Sequence, residues 1–283
     1  MSEFIKKIVP SQLKNLIKRT LLSGYTHSDV NFQKSISDNN AYPEFCIKAS
    51  LSSKIFSNFR RNIVYREVLE HVTYEQGNLY LSEVRKDNPW LLKEVDRFRE
   101  NDKYGNPRMF NYSGIGNFSP STIRYMKVAS DLINLFGSLD NVKICEIGVG
   151  YGGQCSIINC IAKPYSYTLI DLKSALMLAQ TYLDKFALHS VLFYKTMNEI
   201  EEKEFDLVIS NYAFTEIAKD IQDIYLKRVI LRAKRGYITY NEITPASFNS
   251  YKRDDLLRLI PNSRIIEEKP LTHSKNCIIV WEN

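Results

Sequence analysis

The chain has 283 residues, of which 44% are hydrophobic and 25% are charged, and its net charge is +6. These values are typical of an ordinary soluble globular protein. No apolar stretch approaches the roughly 18–20 residues that cross a bilayer, and the N-terminus shows no signal peptide, so we expect a cytoplasmic protein. The modest charge, which forms no basic block, gives no reason to expect a nucleic-acid partner.

The cysteines and the basic residues near the N-terminus bear on the cellular compartment and on membrane contact. The five cysteines show no CxxC pairing, which favours buried free thiols in a reducing cytosol; they are Cys46, Cys145, Cys155, Cys160 and Cys277. The basic residues nearest to a cluster are Lys6, Lys7, Lys14, Lys18 and Arg19. They accompany apolar residues at helical spacing, namely Leu13, Leu16, Ile17 and Leu21. This stripe either packs on its own domain or rests on an anionic membrane surface, so peripheral membrane contact stays open.

Residues 1–120 are predicted to be helical and irregular, with many aromatic side chains. Apolar residues at helix spacing run from Val64 to Val72, and Gly77 is predicted to end that helix. Another helix is expected to begin at Asn88-Pro89. Residues 101–121 are predicted to form a loop, because glycine, proline and asparagine are frequent there.

From residue 119 onwards the pattern changes to alternating helices and apolar strands. Ser119 or Ser121 is expected to cap a helix that ends at Gly137. Seven predicted strands follow, with helices between most of them: VKICEIGV, YTLIDL, SVLFYK, FDLVISN, GYITYNE, SRIIEEKP and NCIIVWEN. Continuous apolar strands that alternate with helices predict a Rossmann-like, doubly wound α/β fold with right-handed crossovers.

The segment KICEIGVGYGGQ, residues 143–154, contains four of the chain's 11 glycines. In an open α/β sheet, ligands bind beyond the carboxyl ends of the strands. Gly148 allows a tight turn, Gly150 and Gly152 allow close approach of a ligand, and Gly153 allows the next helix to pack on the strand. The spacing Gly148-x-Gly150-x-x-Gly153 also matches the dinucleotide fingerprint.

Three details bear on the choice of ligand. Glu146 precedes the first glycine by two residues, and an acid there suits an ammonium group and repels a pyrophosphate. Asp171 ends the second strand, where an acid accepts hydrogen bonds from ribose hydroxyls in both nucleotide classes. The last two predicted strands are joined by a short connection, which indicates an antiparallel seventh strand, unlike the dinucleotide fold.

These residues resemble those of class I S-adenosylmethionine-dependent methyltransferases. Segments spread from about Phe59 to the end also resemble a bacterial family of sugar O-methyltransferases: FRRNIVYREVLEHVTYEQGNLYL, FSPSTIRYMKVASDLINLFG, EIGVGYGG, LIDLKSALMLAQTYL and DLVISNYAFTEI. The resemblance implies a seven-stranded, mostly parallel sheet with an antiparallel last strand. It implies a helical lid and acceptor region in residues 1–120 and a donor-binding domain in residues 121–283. It also implies methylation of a sugar, in a glycan or nucleotide sugar, in surface polysaccharide synthesis.

The resemblance assigns roles to individual residues. Glu146 would hold the amine of S-adenosyl-L-methionine through water, and the methionine part would be lined by Gly148, Gly150, Tyr151, Gly152 and Gly153. Asp171 would bind the ribose hydroxyls, with Leu172 against the adenine and Asn198 at the adenine edge. Asn211 and Tyr212, at the end of the fourth strand, would lie beside the reacting methyl group.

The sequence favours a small-molecule oxygen as the methyl acceptor. The fourth strand is followed by SNYAFTEI, without the Pro-Pro-aromatic segment of enzymes that methylate nucleobase amines. Cys145, Cys155 and Cys160 are on or near the first strand, which is the wrong place for a cytosine-methylating nucleophile.

A general base should assist a poorly nucleophilic hydroxyl. His273 and Glu216 are the first candidates, Glu242 is the third, and His71 is a fourth on the N-terminal region. Each of the four has an ordinary alternative, as a solvated loop residue, a helix-start acid or a packing residue. No spacing suits a metal, so we expect metal-independent activity.

Aromatic side chains of the N-terminal region are candidates for stacking on a sugar, or for core packing: Tyr74, Tyr80, Trp90, Tyr104 and Tyr112. Arg108 and Arg124 can meet a phosphate or carboxylate on an acidic acceptor. Three alternatives stay open: methylation of RNA, protein or another small molecule, an NAD-dependent oxidoreductase, and a non-catalytic assembly subunit.

Overall fold

The computed structural model describes Ser35, Ser37 and residues 40–283 of the chain. The described residues belong to one compact unit. The basic and apolar stripe of residues 6–21 lies outside the described residues. Among the helices that are described, none combines the length and the apolar character needed to cross a membrane.

Four helices open the described part of the chain: α1 (Ala41–Leu51), α2 (Ser53–Phe56), α3 (Ile63–Val68) and α4 (Tyr74–Asp87). The prediction that Gly77 ends a helix is wrong, because Gly77 lies inside α4. The break occurs earlier, where the Thr73 side chain caps α4 and Gln76 bonds back to the Thr73 backbone. A Cβ on Gly77 would lie 2.2 Å from the Tyr112 hydroxyl, so the glycine permits close packing within the helix.

The next segment contains a 3-10 helix (Pro89–Glu94), α5 (Val95–Arg99) and a second 3-10 turn (Glu100–Asp102). The predicted loop of residues 101–121 contains a small hairpin of β1 (Phe110–Tyr112) and β2 (Gly116–Phe118). Helix α6 (Pro120–Phe136) then begins with Ser119 as its cap and ends at Gly137, as predicted.

The strands of the main sheet are β3 (Lys143–Ile147), β4 (Ser166–Ile170), β5 (Val191–Lys195), β6 (Phe205–Asn211), β7 (Ala233–Tyr240), β8 (Arg264–Ile266) and β9 (Cys277–Glu282). The helices among them are α7 (Gly153–Ile161), α8 (Lys173–Leu183), α9 (Lys219–Arg228) and α10 (Arg253–Leu259).

The sheet has the order β5-β4-β3-β6-β7-β9-β8. Strands β3 to β7 pair in parallel, whereas β9 pairs antiparallel with both β7 and β8. The predicted α/β fold, with a mostly parallel seven-stranded sheet and an antiparallel last strand, is therefore confirmed. The strand order reverses between β3 and β6, which is the point where open α/β sheets bind ligands.

The N-terminal helices and one face of the sheet share a hydrophobic core. Within it, the rings of Tyr151 and Tyr182 meet edge to face at 4.8 Å. The fully buried Arg60 lies over the Tyr151 ring and pairs with Glu70 at 2.6 Å and Asp102 at 3.0 Å. These contacts hold the N-terminal segment against the glycine loop that follows β3.

Candidate active site

A cavity of about 780 Å³ opens at the carboxyl ends of four parallel strands. Its floor includes Ile147 at the end of β3, Ile170 at the end of β4, Thr196 after β5 and Asn211 at the end of β6. The end of α3 and the connection from it to α4 contribute another wall, through Glu67, Val68, Leu69, His71 and Val72. The strand ends and the N-terminal region thus enclose one site at the reversal of strand order.

The glycine loop forms one wall of the cavity through Gly148 and Gly150. Both residues have positive φ, 80° and 55°, which side chains rarely adopt. A Cβ at Gly148 would lie 2.0 Å from the Cβ of Ala213, and one at Gly150 would lie 2.6 Å from a methyl carbon of Leu69. Glycine is therefore favoured at both positions by the backbone conformation and by close packing, against Ala213 at Gly148 and against Leu69 at Gly150.

Asp171 lies directly beside this loop and lines the cavity. Its Oδ2 accepts a hydrogen bond from the Gly150 amide at 2.9 Å, and its Oδ1 accepts one from the Leu172 amide at 2.7 Å. Burial raises the pKa of Asp171 to about 6, although these backbone amides oppose the rise. Each carboxylate oxygen retains acceptor capacity for a ligand hydroxyl.

Glu146 is buried on β3 and does not line the cavity. Its Oε2 accepts a hydrogen bond of 2.7 Å from the Tyr167 hydroxyl on β4. Burial raises its pKa to about 8. Glu146 is therefore close to the glycine loop in sequence, but separated from the cavity.

Three other residues that were predicted to line the donor site also lie outside the cavity lining: Tyr151, Gly152 and Gly153. The Tyr151 side chain is fully buried in the aromatic core, where its hydroxyl accepts a hydrogen bond from Asn101 at 3.2 Å. Gly152 is the left-handed cap of α7, and Gly153 begins that helix. These residues shape the loop and fasten it to the core.

The remaining predicted donor-site residues all line the cavity: Leu172, Asn198, Asn211 and Tyr212. The Oδ1 atom of Asn211 is buried without a hydrogen-bond partner, so it can accept a bond from a ligand donor. Tyr212 has a φ of 70°, a strained conformation for a bulky residue. Its hydroxyl donates a hydrogen bond to the Glu268 carboxylate.

Of the four candidate bases, Glu216 and His71 line the cavity. Asn241 donates a hydrogen bond to Glu216 Oε1. Burial raises the pKa of Glu216, while this bond and the charge of Arg124 oppose the rise. Burial and the charge of Arg124 lower the pKa of His71 to about 4, so His71 is neutral at pH 7.

His273 and Glu242 do not line the cavity. His273 is exposed, and its Nδ1 accepts a long bond of 3.4 Å from the Lys275 amide. Glu242 lies 2.9 Å from the Lys275 ammonium and 3.9 Å from that of Lys252, and the bond with Lys275 lowers its pKa. Both residues interact with neighbours at the surface.

Sequence reasoning missed a polar network beside Tyr212. Thr272 donates from its backbone amide to Glu268 at 2.9 Å, and its hydroxyl bonds the same carboxylate. Asn276 donates to the Thr272 hydroxyl at 2.8 Å, and both residues line the cavity. The nearest signal in the sequence was His273, which lies in the same connection between β8 and β9. The cavity is lined there by Thr272 and Asn276 and not by His273.

Among the aromatic candidates, Tyr80 lines the cavity, and the other four lie elsewhere. Tyr104 packs on Tyr182 and Phe186 in the core, and Tyr112 packs against Tyr74. Trp90 is exposed at 43% and donates to Asn88.

The structure also gives the positions of the two arginine candidates and of the cysteines. Arg124 lines the large cavity, whereas Arg108 lines a second one of about 340 Å³. No group of three or more histidine, cysteine, aspartate or glutamate side chains among the described residues is placed to hold a metal ion. All five cysteines are free, and four of them are buried.

No protein-family model matches the chain, and no curated protein matches it. Among solved structures it is similar to magnesium protoporphyrin IX methyltransferase (ChlM) from Synechocystis PCC 6803 with bound SAH. The identity is 11%, the TM-score is 0.43, and 72% of this chain and 99% of that chain are covered. It is also similar to the methyltransferase domain of bacterial CtHen1, with 13% identity, a TM-score of 0.42 and coverage of 56% and 96%. A third similar structure is an rRNA methylase from Streptococcus thermophilus. Its identity is 12%, its TM-score is 0.41, and 56% of this chain and 96% of that chain are covered.

Proposed function

We propose that the protein is an S-adenosylmethionine-dependent methyltransferase that methylates a hydroxyl group of a sugar. The observation that carries this proposal is the meeting of three features in one cavity. The glycine loop and Asp171 form one part of the cavity, the carboxylate of the half-buried Glu216 forms another, and Tyr80 and Tyr212 add hydroxyl groups. A volume of about 780 Å³ lies in the range of roughly 300–1,000 Å³ that is typical of ligand pockets.

The residues present fit the donor. Asp171 keeps acceptor capacity on both carboxylate oxygens for ribose hydroxyls, and Leu172 offers an apolar surface for the adenine, with Asn198 at its edge. The unpartnered Oδ1 of Asn211 can accept a hydrogen bond from the donor's ammonium group. When bound, S-adenosylmethionine supplies an electrophilic methyl group on a sulfonium centre.

The chain's own task is to orient the acceptor and to remove its proton. Glu216 is our candidate for the base. Asn241 holds Oε1, which leaves Oε2 to accept the proton of the acceptor hydroxyl. A pKa raised by burial strengthens Glu216 as a base near neutral pH. Tyr212, held by Glu268, is a candidate for positioning the acceptor.

Matched glutamate variants test this assignment. The protein is incubated with S-adenosylmethionine and a panel of neutral sugars, sugar acids, sugar phosphates and nucleotide sugars, and the S-adenosylhomocysteine formed is measured. Loss of a general base costs about 10²–10⁴-fold, so we expect Glu216→Gln to lose at least about 100-fold in kcat. The kcat of the wild-type protein should rise with pH through the pKa of Glu216, because only the ionised carboxylate accepts a proton.

Glu242→Gln is the control, because it makes the same chemical change outside the cavity, and His273→Ala tests the exposed alternative. Both variants should stay within about threefold of wild type, since surface substitutions have small effects. If Glu216→Gln turned over as fast as the wild type, or if His273→Ala lost turnover, Glu216 would not be the base. No turnover by the wild type with any acceptor in the panel would count against sugar methylation itself.

A further inference from the structure

Two arginines are buried among the residues that the structure describes, and their surroundings differ sharply. Arg60 is 0% exposed and bonds Glu70, Asp102, Ser119 and a backbone carbonyl. Arg124 is 8% exposed, yet within the described part of the chain it forms no ion pair with any carboxylate. The Tyr125 side chain hydrogen-bonds Arg124, but a neutral phenol does not balance the charge. A buried charge is costly unless it is paired with an opposite charge, so the lack of an anion beside Arg124 calls for an explanation.

Arg124 lines the large cavity on the side of the N-terminal region. Its guanidinium carbon lies 5.5 Å from the centre of the Tyr125 ring. Its charge also acts on Tyr80, Tyr212, His71 and Glu216, all of which line the same cavity. The cation therefore belongs to the part of the cavity that contains the candidate base and the tyrosine hydroxyls, whereas the glycine loop and Asp171 form the part that we propose for the donor.

We propose that Arg124 binds a carboxylate on the acceptor, which makes the acceptor a sugar acid. This inference rests on the proposed function, and it names the class of sugar. The planar guanidinium presents paired N–H donors that match the two oxygens of a carboxylate. A single cation balances one negative charge, and a phosphate dianion would leave excess charge beside Glu216. Tyr80 and Tyr212 line the same cavity, and their hydroxyl groups can contact neutral parts of the same ligand.

Binding of small probes tests the proposal without turnover. The protein is first saturated with S-adenosylhomocysteine, and its affinity is then measured by calorimetry for D-glucuronate, D-galacturonate, D-glucose, D-galactose and glucose 1-phosphate. We expect at least one sugar acid to bind about 10- to 100-fold more tightly than its neutral counterpart, the range of a charge-assisted bond. Arg124→Gln should abolish that preference, Arg124→Lys should retain part of it, and Arg264→Gln, at an exposed site on β8, should retain it fully.

The thermal stability of the ligand-free variants gives a second readout. Because no anion pairs with Arg124, and only a bond to a neutral tyrosine is lost, Arg124→Gln should change Tm little relative to Arg264→Gln. A preference for sugar acids that survives in Arg124→Gln would overturn the proposal. So would equal binding of acids and neutral sugars by the wild type, tighter binding of glucose 1-phosphate, or a Tm of Arg124→Gln well below the control. Failure of S-adenosylhomocysteine to bind would instead count against the proposed function.

Discussion

Replacing Glu146 by glutamine isolates the cost of keeping an ionised carboxylate in the core of the sheet. Burial raises the pKa of Glu146 from 4.5 to about 8. Between these values the folded state binds more protons than the unfolded state, so the free energy of unfolding falls as pH rises. Each pKa unit is worth about 1.4 kcal/mol, and the loss attributable to Glu146 is therefore about 4 kcal/mol between pH 5 and pH 8.5.

Glu146→Gln keeps a side-chain carbonyl for the Tyr167 hydroxyl and removes the ionisation. We expect the variant and the wild type to have similar free energies of unfolding at pH 5. At pH 8.5 the variant should be more stable by about 4 kcal/mol, to order of magnitude. Urea unfolding followed by the fluorescence of the buried Trp281 measures both values.

Glu282→Gln is the control, because it makes the same change at an exposed position at the end of β9. If Glu146→Gln and Glu282→Gln differ from the wild type by the same amount at both pH values, burial does not perturb Glu146, and the reasoning fails.

Two further predictions concern the glycine loop and metal dependence. Gly150→Ala should lower the free energy of unfolding by about 2–5 kcal/mol, because it combines a positive φ with a Cβ placed 2.6 Å from Leu69. In a Leu69→Ala background the steric part should vanish, leaving about 1–2 kcal/mol, and equal costs in both backgrounds would disprove the contact. Turnover should survive EDTA, because the sequence has no spacing suited to a metal site, whereas loss of turnover that Mg²⁺ restores would reverse that expectation.

The sheet could be predicted from the sequence because each strand is a continuous apolar run bounded by polar or glycine residues. Its final reversal followed from the short connection before NCIIVWEN, and β9 is antiparallel as expected. The cap of α6 at Ser119 and its end at Gly137 are local signals, and both were read correctly. Gly77 was misread, because its role depends on Tyr112, which lies 35 residues away in sequence.

The site could be predicted only in part, for a related reason. The position of Gly148, Gly150 and Asp171 at the cavity could be predicted, because a loop that follows a strand lies at the carboxyl end of that strand. Tyr151 was assigned to the ligand, but its ring is held in the core by contacts with Arg60 and Tyr182 that no local pattern reveals. The Glu216 carboxylate and the His273 imidazole looked equivalent in sequence. Only the folded structure distinguishes them, because Glu216 lines the cavity and His273 is exposed outside it.

The central claim is that the glycine loop and Asp171 hold a methyl donor, and thermal unfolding with S-adenosylhomocysteine tests it most directly. At 100 times its Kd, a ligand that binds only the folded state stabilises it by about 2.7 kcal/mol, which raises the Tm of a protein of this size by several degrees. We predict that rise for the wild type and for Asp184→Ala, an exposed control beside α8, and none for Asp171→Ala. A rise with NAD in place of S-adenosylhomocysteine, or an undiminished rise in Asp171→Ala, would contradict the account.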